Sequence, residues 1–147
     1  DDSFQIDSFT GSLSVKKGAT LDYETRQEYS ISVRVTDLEG LFDVIDVTIH
    51  VLNVNEAPTV KYDNLSLEEN SDVNTPVVGI PKVSDPDAGT VNAYTYDIVG
   101  GGENYEMFKI SETTGQLSVA QAGLNYEVQS QFTVNVQVTD SGIDKGL

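Results

Sequence analysis

The sequence predicts an all-β chain built as tandem antiparallel β-sandwiches, and three features point there. Apolar and polar residues alternate over short runs, the chain repeats itself at whole-domain length, and Thr-Gly, Asp-Pro and Gly-rich clusters punctuate the runs as turns. No window shows a sustained helical period.

The repeat can be followed block by block. Phe4-Gln5-Ile6 with Thr10-Gly11-Ser12-Leu13-Ser14-Val15 recurs 104 residues later as Phe108-Lys109-Ile110 with Thr114-Gly115-Gln116-Leu117-Ser118-Val119. Leu21-Asp22-Tyr23-Glu24 recurs as Leu124-Asn125-Tyr126-Glu127, and Tyr29 to Asp37 as Phe132 to Asp140, both 103 residues on. A period this long means tandem domains, not a solenoid of short units. In Tyr29 to Val35, Tyr29, Ile31, Val33 and Val35 alternate with Ser30, Ser32 and Arg34, which sets one face on a core and the other in water. Phe132 to Val138 alternates in the same phase, and Val47-Thr48-Ile49-His50-Val51 alternates again. Gly100-Gly101-Gly102 leads into Glu103 and Asn104 and is expected to form a flexible hairpin loop, not a phosphate cradle at a helix start. Each unit is expected to be a Greek-key sandwich of about seven strands, immunoglobulin-like in architecture. Residues 1–57 are expected to hold the later strands of a first unit plus a linker, and residues 58–147 a second unit lacking its last strand. Both would then carry unpaired sheet edges, and the chain, which opens without Met, reads as a piece of something longer.

Composition narrows the function. The 24 acidic residues outnumber 8 basic ones for a net charge of −16, so nucleic acid and anionic membrane surfaces are repelled and cations attracted. No run approaches the roughly 18–20 apolar residues of a membrane span, so direct membrane insertion is not expected. The chain has no cysteine and one histidine, His50, on the polar phase of a strand. Zinc sites and cysteine nucleophiles therefore lack ligands or a partner base. An enzyme is not expected.

The acidic residues cluster instead in ways that suit a hard cation. Asp22-Tyr23-Glu24, if extended, sends both carboxylates to one side, and Asp85 and Asp87 share the same spacing around Pro86. Asn53-Val54-Asn55-Glu56-Ala57-Pro58 lies between two β-patterned stretches. Calcium takes six to eight oxygens at about 2.3–2.6 Å, which converging loops can supply. An EF-hand does not fit: counting from Asp85, glycine comes at the fifth position and Tyr96 stands where the bidentate Glu belongs.

Taken together these motifs resemble cadherin repeats. Leu67-Glu68-Glu69-Asn70, Asp85-Pro86-Asp87-Ala88-Gly89, Asn92-Ala93-Tyr94-Thr95-Tyr96, Phe-x-Ile followed by Thr-Gly, Leu-Asp-Tyr-Glu, Val-Thr-Asp and the Asn-Val-Asn-Glu-Ala-Pro linker follow the family's order over nearly the whole chain. The resemblance implies an extracellular, calcium-rigidified spacer or adhesion module of a larger cell-surface protein, membrane-anchored or secreted, whose partners are other cadherin-like repeats through homophilic adhesion. It implies a Ca2+ site drawing on Asp22, Glu24, Asn55, Glu56, Asp85, Asp87 and Asp140, with backbone carbonyls of Val54, Ala57 and Asn92, for up to three ions. Asn53 and Glu56 depart from the usual linker Asp, and the early glutamate of the first unit lies outside these residues. Asp37, Glu69, Asn125 and Glu127 belong by the same resemblance to neighbouring junctions and are expected to be solvated. The alternative is a microbial cadherin-like carbohydrate-binding module that meets polysaccharide on an aromatic platform, with Tyr94, Tyr96, Tyr105 and Tyr126 as candidates. Asn64-Leu65-Ser66 matches the N-glycosylation sequon.

Overall fold

In the computed structural model, residues 2–87 and 93–140 are described, and they fall into two compact units, one within Asp1–Val54 and the other within Asn55–Ile143. The first unit holds β1 (Phe4–Ile6), β2 (Leu13–Val15), β3 (Glu28–Thr36) and β4 (Phe42–His50). The second holds β5 (Thr59–Tyr62), β6 (Pro81–Ser84), β7 (Thr95–Gly101), β8 (Phe108–Ile110), β9 (Leu117–Val119) and β10 (Val134–Thr139), with one 3-10 turn at Tyr105–Met107. Every ladder is antiparallel, and no α-helix occurs among the described residues. Among the described residues the first unit has four named strands and the second six. In the second unit the isolated bridges Ser66↔Val78 and Pro76↔Ser118 add pairing outside the named strands.

Alternation decides the faces of β3. It pairs with β4 so that Tyr29 faces Ile49, Ile31 faces Val47 and Val33 faces Ile45, and the odd-numbered set forms the apolar side. Tyr29 is buried, and its ring meets Phe4 edge-to-face at 5.2 Å and 76°. The repeat of sequence is a repeat of packing: Phe108 and Phe132, the counterparts of these two residues, meet at 5.2 Å and 71°. The second unit buries more, with Val77, Tyr96, Leu117, Val119 and Leu124 at its core and Val119 fully enclosed.

In the second unit β7 pairs with β10 across the intervening β8 and β9, the non-sequential neighbourhood of a Greek key. Here the Gly-rich run departs from expectation. Gly100 and Gly101 close β7 as strand residues, and the register slips between Asn135 and Val136, so that Val136 faces Ile98 while Asn135 faces Gly100. Glycine is required at this bulge for steric reasons. A Cβ on Gly101 would fall 2.3 Å from the Thr133 carbonyl oxygen and 2.5 Å from Tyr105 Cβ. β10 starts at Val134, two residues after Phe132.

Candidate metal centre

The candidate donors are taken unit by unit. In the first, Asp22 and Glu24 are not extended as the alternation suggested. Asp22 opens a turn, its Oδ1 accepting the Thr25 N–H at 3.0 Å and its Oδ2 the Thr25 hydroxyl at 2.9 Å, while its carbonyl accepts the Arg26 N–H at 2.9 Å. A short acidic side chain can satisfy the amides of its own turn, and here that local geometry overrides the strand period. These bonds, the Thr25 amide foremost, hold the Asp22 carboxyl below its ordinary range. Asn125 builds the same turn in the second unit, accepting from the Glu127 and Val128 amides through Oδ1 and from the Gln129 amide through its carbonyl. Asp22, Glu24 and Val54 are all exposed.

In the second unit the linker residues meet the loop carboxylates. Asn55 Nδ2 donates to Asp140 Oδ2 at 2.9 Å, and the Glu56 backbone N–H donates to Asp87 Oδ2 at 2.7 Å. The Asp87 N–H in turn donates to Asp85 Oδ1 at 2.9 Å, and the Tyr94 hydroxyl donates to Asp85 Oδ2 at 3.0 Å. Among the described residues Asp85 is the buried charged one, with 7% of its surface exposed. A carboxylate this deep needs donors on its oxygens, and the loop supplies both. Pro86 between the two Asp residues fixes φ and directs the Asp87 amide back to Asp85. Ala57 is exposed beside the linker, and Asn92 lies outside the described residues.

Tyr94 is the participant that the sequence reading placed elsewhere. It was a candidate for sugar stacking, but its hydroxyl supports Asp85. Of the other candidates for an aromatic platform, Tyr96 is buried in the core, whereas Tyr105 and Tyr126 are exposed at 37% and 66%. The donors expected to be solvated are also engaged. Asp37 Oδ1 accepts the Glu39 and Leu41 amides and closes the β3–β4 hairpin, and Glu69 Oε2 accepts the Tyr126 amide at 3.1 Å.

The chemistry of the second unit's set is oxygen only. His50 is in the first unit, where its Nδ1 lies 3.6 Å from Glu28 Oε2 on the outer face of β3–β4. All-oxygen donors suit calcium or magnesium and not a soft transition metal. Among the described residues of either unit, no three His, Cys, Asp or Glu side chains are gathered closely enough to hold a metal by themselves.

The second unit is thus an antiparallel β domain whose carboxylates are bonded to its linker residues. The Cadherin domain model matches residues 1–52 and 63–147, and the chain belongs to the cadherin family. It is 33% identical over 146 residues to the Fat-like cadherin-related tumor suppressor homolog of Drosophila melanogaster, covering 95% of this chain and 3% of that protein. With human Protocadherin gamma-A1 it shares 31% identity over 142 residues, covering 95% of this chain and 15% of the relative. The chain thus spans a small part of these relatives. Among solved structures, chicken VE-cadherin EC1-2 matches with a TM-score of 0.51 at 26% identity over 95% of this chain and 70% of that one. Drosophila N-cadherin EC1-4 matches with a TM-score of 0.65 at 24% identity, over 97% of this chain and 36% of that one, a likeness of fold. No helix among the described residues is long and apolar enough to cross a membrane.

Proposed function

We propose that residues 1–57 and 58–147 are parts of two successive cadherin repeats, and that they bind calcium at the linker as a spacer and adhesion module of a larger cell-surface protein. The observation that carries this reading is the bonded path from linker to buried acid: Glu56 to Asp87, Asp87 to Asp85. It positions the linker against a loop whose carboxylates would repel one another in a chain of charge −16. Bound calcium supplies the positive charge that offsets this repulsion.

The residues that would hold it are Asp85, Asp87, Asp140, Asn55 and Glu56 of the second unit with Asp22 and Glu24 of the first, and carbonyls of Val54, Ala57 and Asn92. Affinity on the order of 0.1–1 mM would suit an extracellular module kept saturated by its surroundings. Partners would be other cadherin repeats, homophilically; the solved relatives include a protocadherin described as a cis-dimer. Polysaccharide binding is the weaker reading, because two of its four candidate tyrosines serve the core and Asp85.

Thermal melting with calcium, with magnesium and with chelator tests the proposal. Calcium should raise the transition of the chain well above the chelated value, and magnesium should do so less. Equal melting in all three solutions would leave the spacer reading without its stiffening ion.

A further inference from the structure

The sequence contains one Asn-x-Ser/Thr triplet, Asn64-Leu65-Ser66. It follows β5 on the second unit, away in sequence from every candidate calcium donor. Asn64 and Ser66 are both exposed. Asn64 occupies a bend at φ 49°, in the left-handed region that Asn tolerates better than most residues. Ser66 is held by its backbone: its N–H donates to the Val78 carbonyl at 3.3 Å, and the Val78 N–H donates back at 2.9 Å. The triplet is therefore presented on a fixed backbone with both polar side chains in solvent.

On the segment that bridges to Ser66, Val78 and Ile80 are 65% and 68% exposed. Leu65 lies over Gly79, where a Cβ would fall 2.7 Å from Leu65 Cδ2, whereas exposed Val78 faces Ser66 across the bridge and exposed Ile80 follows two residues on, beside the triplet. The Asp63–Lys82 ion pair lies on the neighbouring β5–β6 residues. Exposed apolar surface of this kind is covered by something or becomes an association site. The left-handed bend explains an Asn at 64. It explains neither the hydroxyl two residues later nor the exposure of Val78 and Ile80.

We propose that Asn64 is an N-glycan acceptor and that the attached glycan covers exposed Val78 and Ile80. The donor class is a lipid-diphosphate-linked oligosaccharide. The Asn64 side-chain nitrogen attacks the anomeric carbon, the carbon–nitrogen bond forms, and the carbon–oxygen bond to the diphosphate breaks. The lipid diphosphate leaves with the electron pair, and the amide proton passes to a base of the transferring enzyme; nothing is oxidised or reduced. The Ser66 hydroxyl is the second element of the acceptor. This inference draws on the family's extracellular placement and not on calcium, so either proposal can fail alone.

The chain is secreted from cultured animal cells behind a leader peptide, then analysed intact and after peptide-N-glycosidase treatment. The expected result is one glycan, removed by the enzyme with conversion of residue 64 to Asp, absent from Ser66→Ala and kept in Ser66→Thr. Binding of an apolar dye should rise when the glycan is removed and fall back when Val78→Thr and Ile80→Thr are introduced. A secreted wild-type chain carrying protein mass alone overturns the acceptor assignment. An occupied Asn64 whose deglycosylation leaves dye binding unchanged overturns the covering role.

Discussion

The backbone N–H of Glu56 and the Asp87 carboxylate are joined by a 2.7 Å hydrogen bond, which ties the linker to the loop that also carries buried Asp85. A charged acceptor strengthens such a bond, and a residue whose carboxylate receives the linker while its backbone N–H donates to Asp85 couples the two. Asp87→Ala should therefore cost more than a surface charge. The expected outcome is a loss of about 1–3 kcal/mol of stability in calcium and a smaller calcium-induced shift in melting. An unchanged shift would mean that the loop is not a cation site.

Tyr94→Phe isolates the support of the buried acid. Removing the hydroxyl leaves Asp85 Oδ2 without its 3.0 Å donor while keeping the ring. A hydrogen bond to a charged group contributes about 1.5–3 kcal/mol, and urea denaturation of the calcium-free chain should show a loss of that order. A loss below about 0.5 kcal/mol would mean that solvent replaces the hydroxyl and that Asp85 is not dependent on Tyr94.

Much of this was legible in the sequence, and for identifiable reasons. The two edge-to-face pairs, Phe4 with Tyr29 and Phe108 with Phe132, follow from repeated blocks whose apolar phase is strict. Motif order singles out Asp85, Asp87, Asn55 and Asp140, and in the second unit Asp87 bonds to Asp85 and Asn55 to Asp140, as two separate pairs. What period and motif did not reveal were side chains that bond to their own turns. Asp22 and Asp37 accept nearby amides, a choice set by local dihedrals that alternation does not encode. Gly100 and Gly101 read as a loop because glycine clusters usually are, whereas close approach of Thr133 and Tyr105 makes them strand residues at a bulge. The bond from the Tyr94 hydroxyl to Asp85 is not encoded in the alternation that marks Tyr94 as an aromatic-platform candidate.

The repeat offers an internal comparison at Gly11 and Gly115, which share nearly the same φ, 71° and 68°. A Cβ at Gly11 meets nothing within 4 Å, but at Gly115 it would fall 2.7 Å from Pro81 Cγ and 2.8 Å from the Tyr96 ring. Gly11→Ala should cost only the left-handed strain, about 1–2 kcal/mol. Gly115→Ala should add about 1–3 kcal/mol of overpacking. Native-state hydrogen exchange at the Asp7 and Ser111 amides, which span the two equivalent turns, reads the difference. Equal costs would show that Pro81 and Tyr96 yield freely.

Tyr62 gives a pH dependence of defined sign. Burial, with the nearby Tyr96, pushes its phenol up to about 12, and its hydroxyl donates to the Gly115 carbonyl at 2.7 Å. The unfolded chain ionises this tyrosine near pH 10, before the folded one does. The unfolded state thus binds fewer protons in that window, and the contribution present below about pH 10 is lost as pH rises towards about 12. Melting followed across this range should fall for the wild-type chain and fall less for Tyr62→Phe. Parallel curves would place the alkaline sensitivity elsewhere.

The central claim is that the linker and the Asp85–Asp87 loop form part of a calcium site, and a calcium titration by calorimetry tests it most directly. The wild-type chain should bind two or three ions saturably, with dissociation constants on the order of 0.1–1 mM, and Asp85→Ala combined with Asp87→Ala should abolish that binding while the β-sheet circular dichroism is retained. Absence of saturable binding up to about 10 mM, beyond the weak extracellular range, or equal binding by the folded double variant, would contradict it.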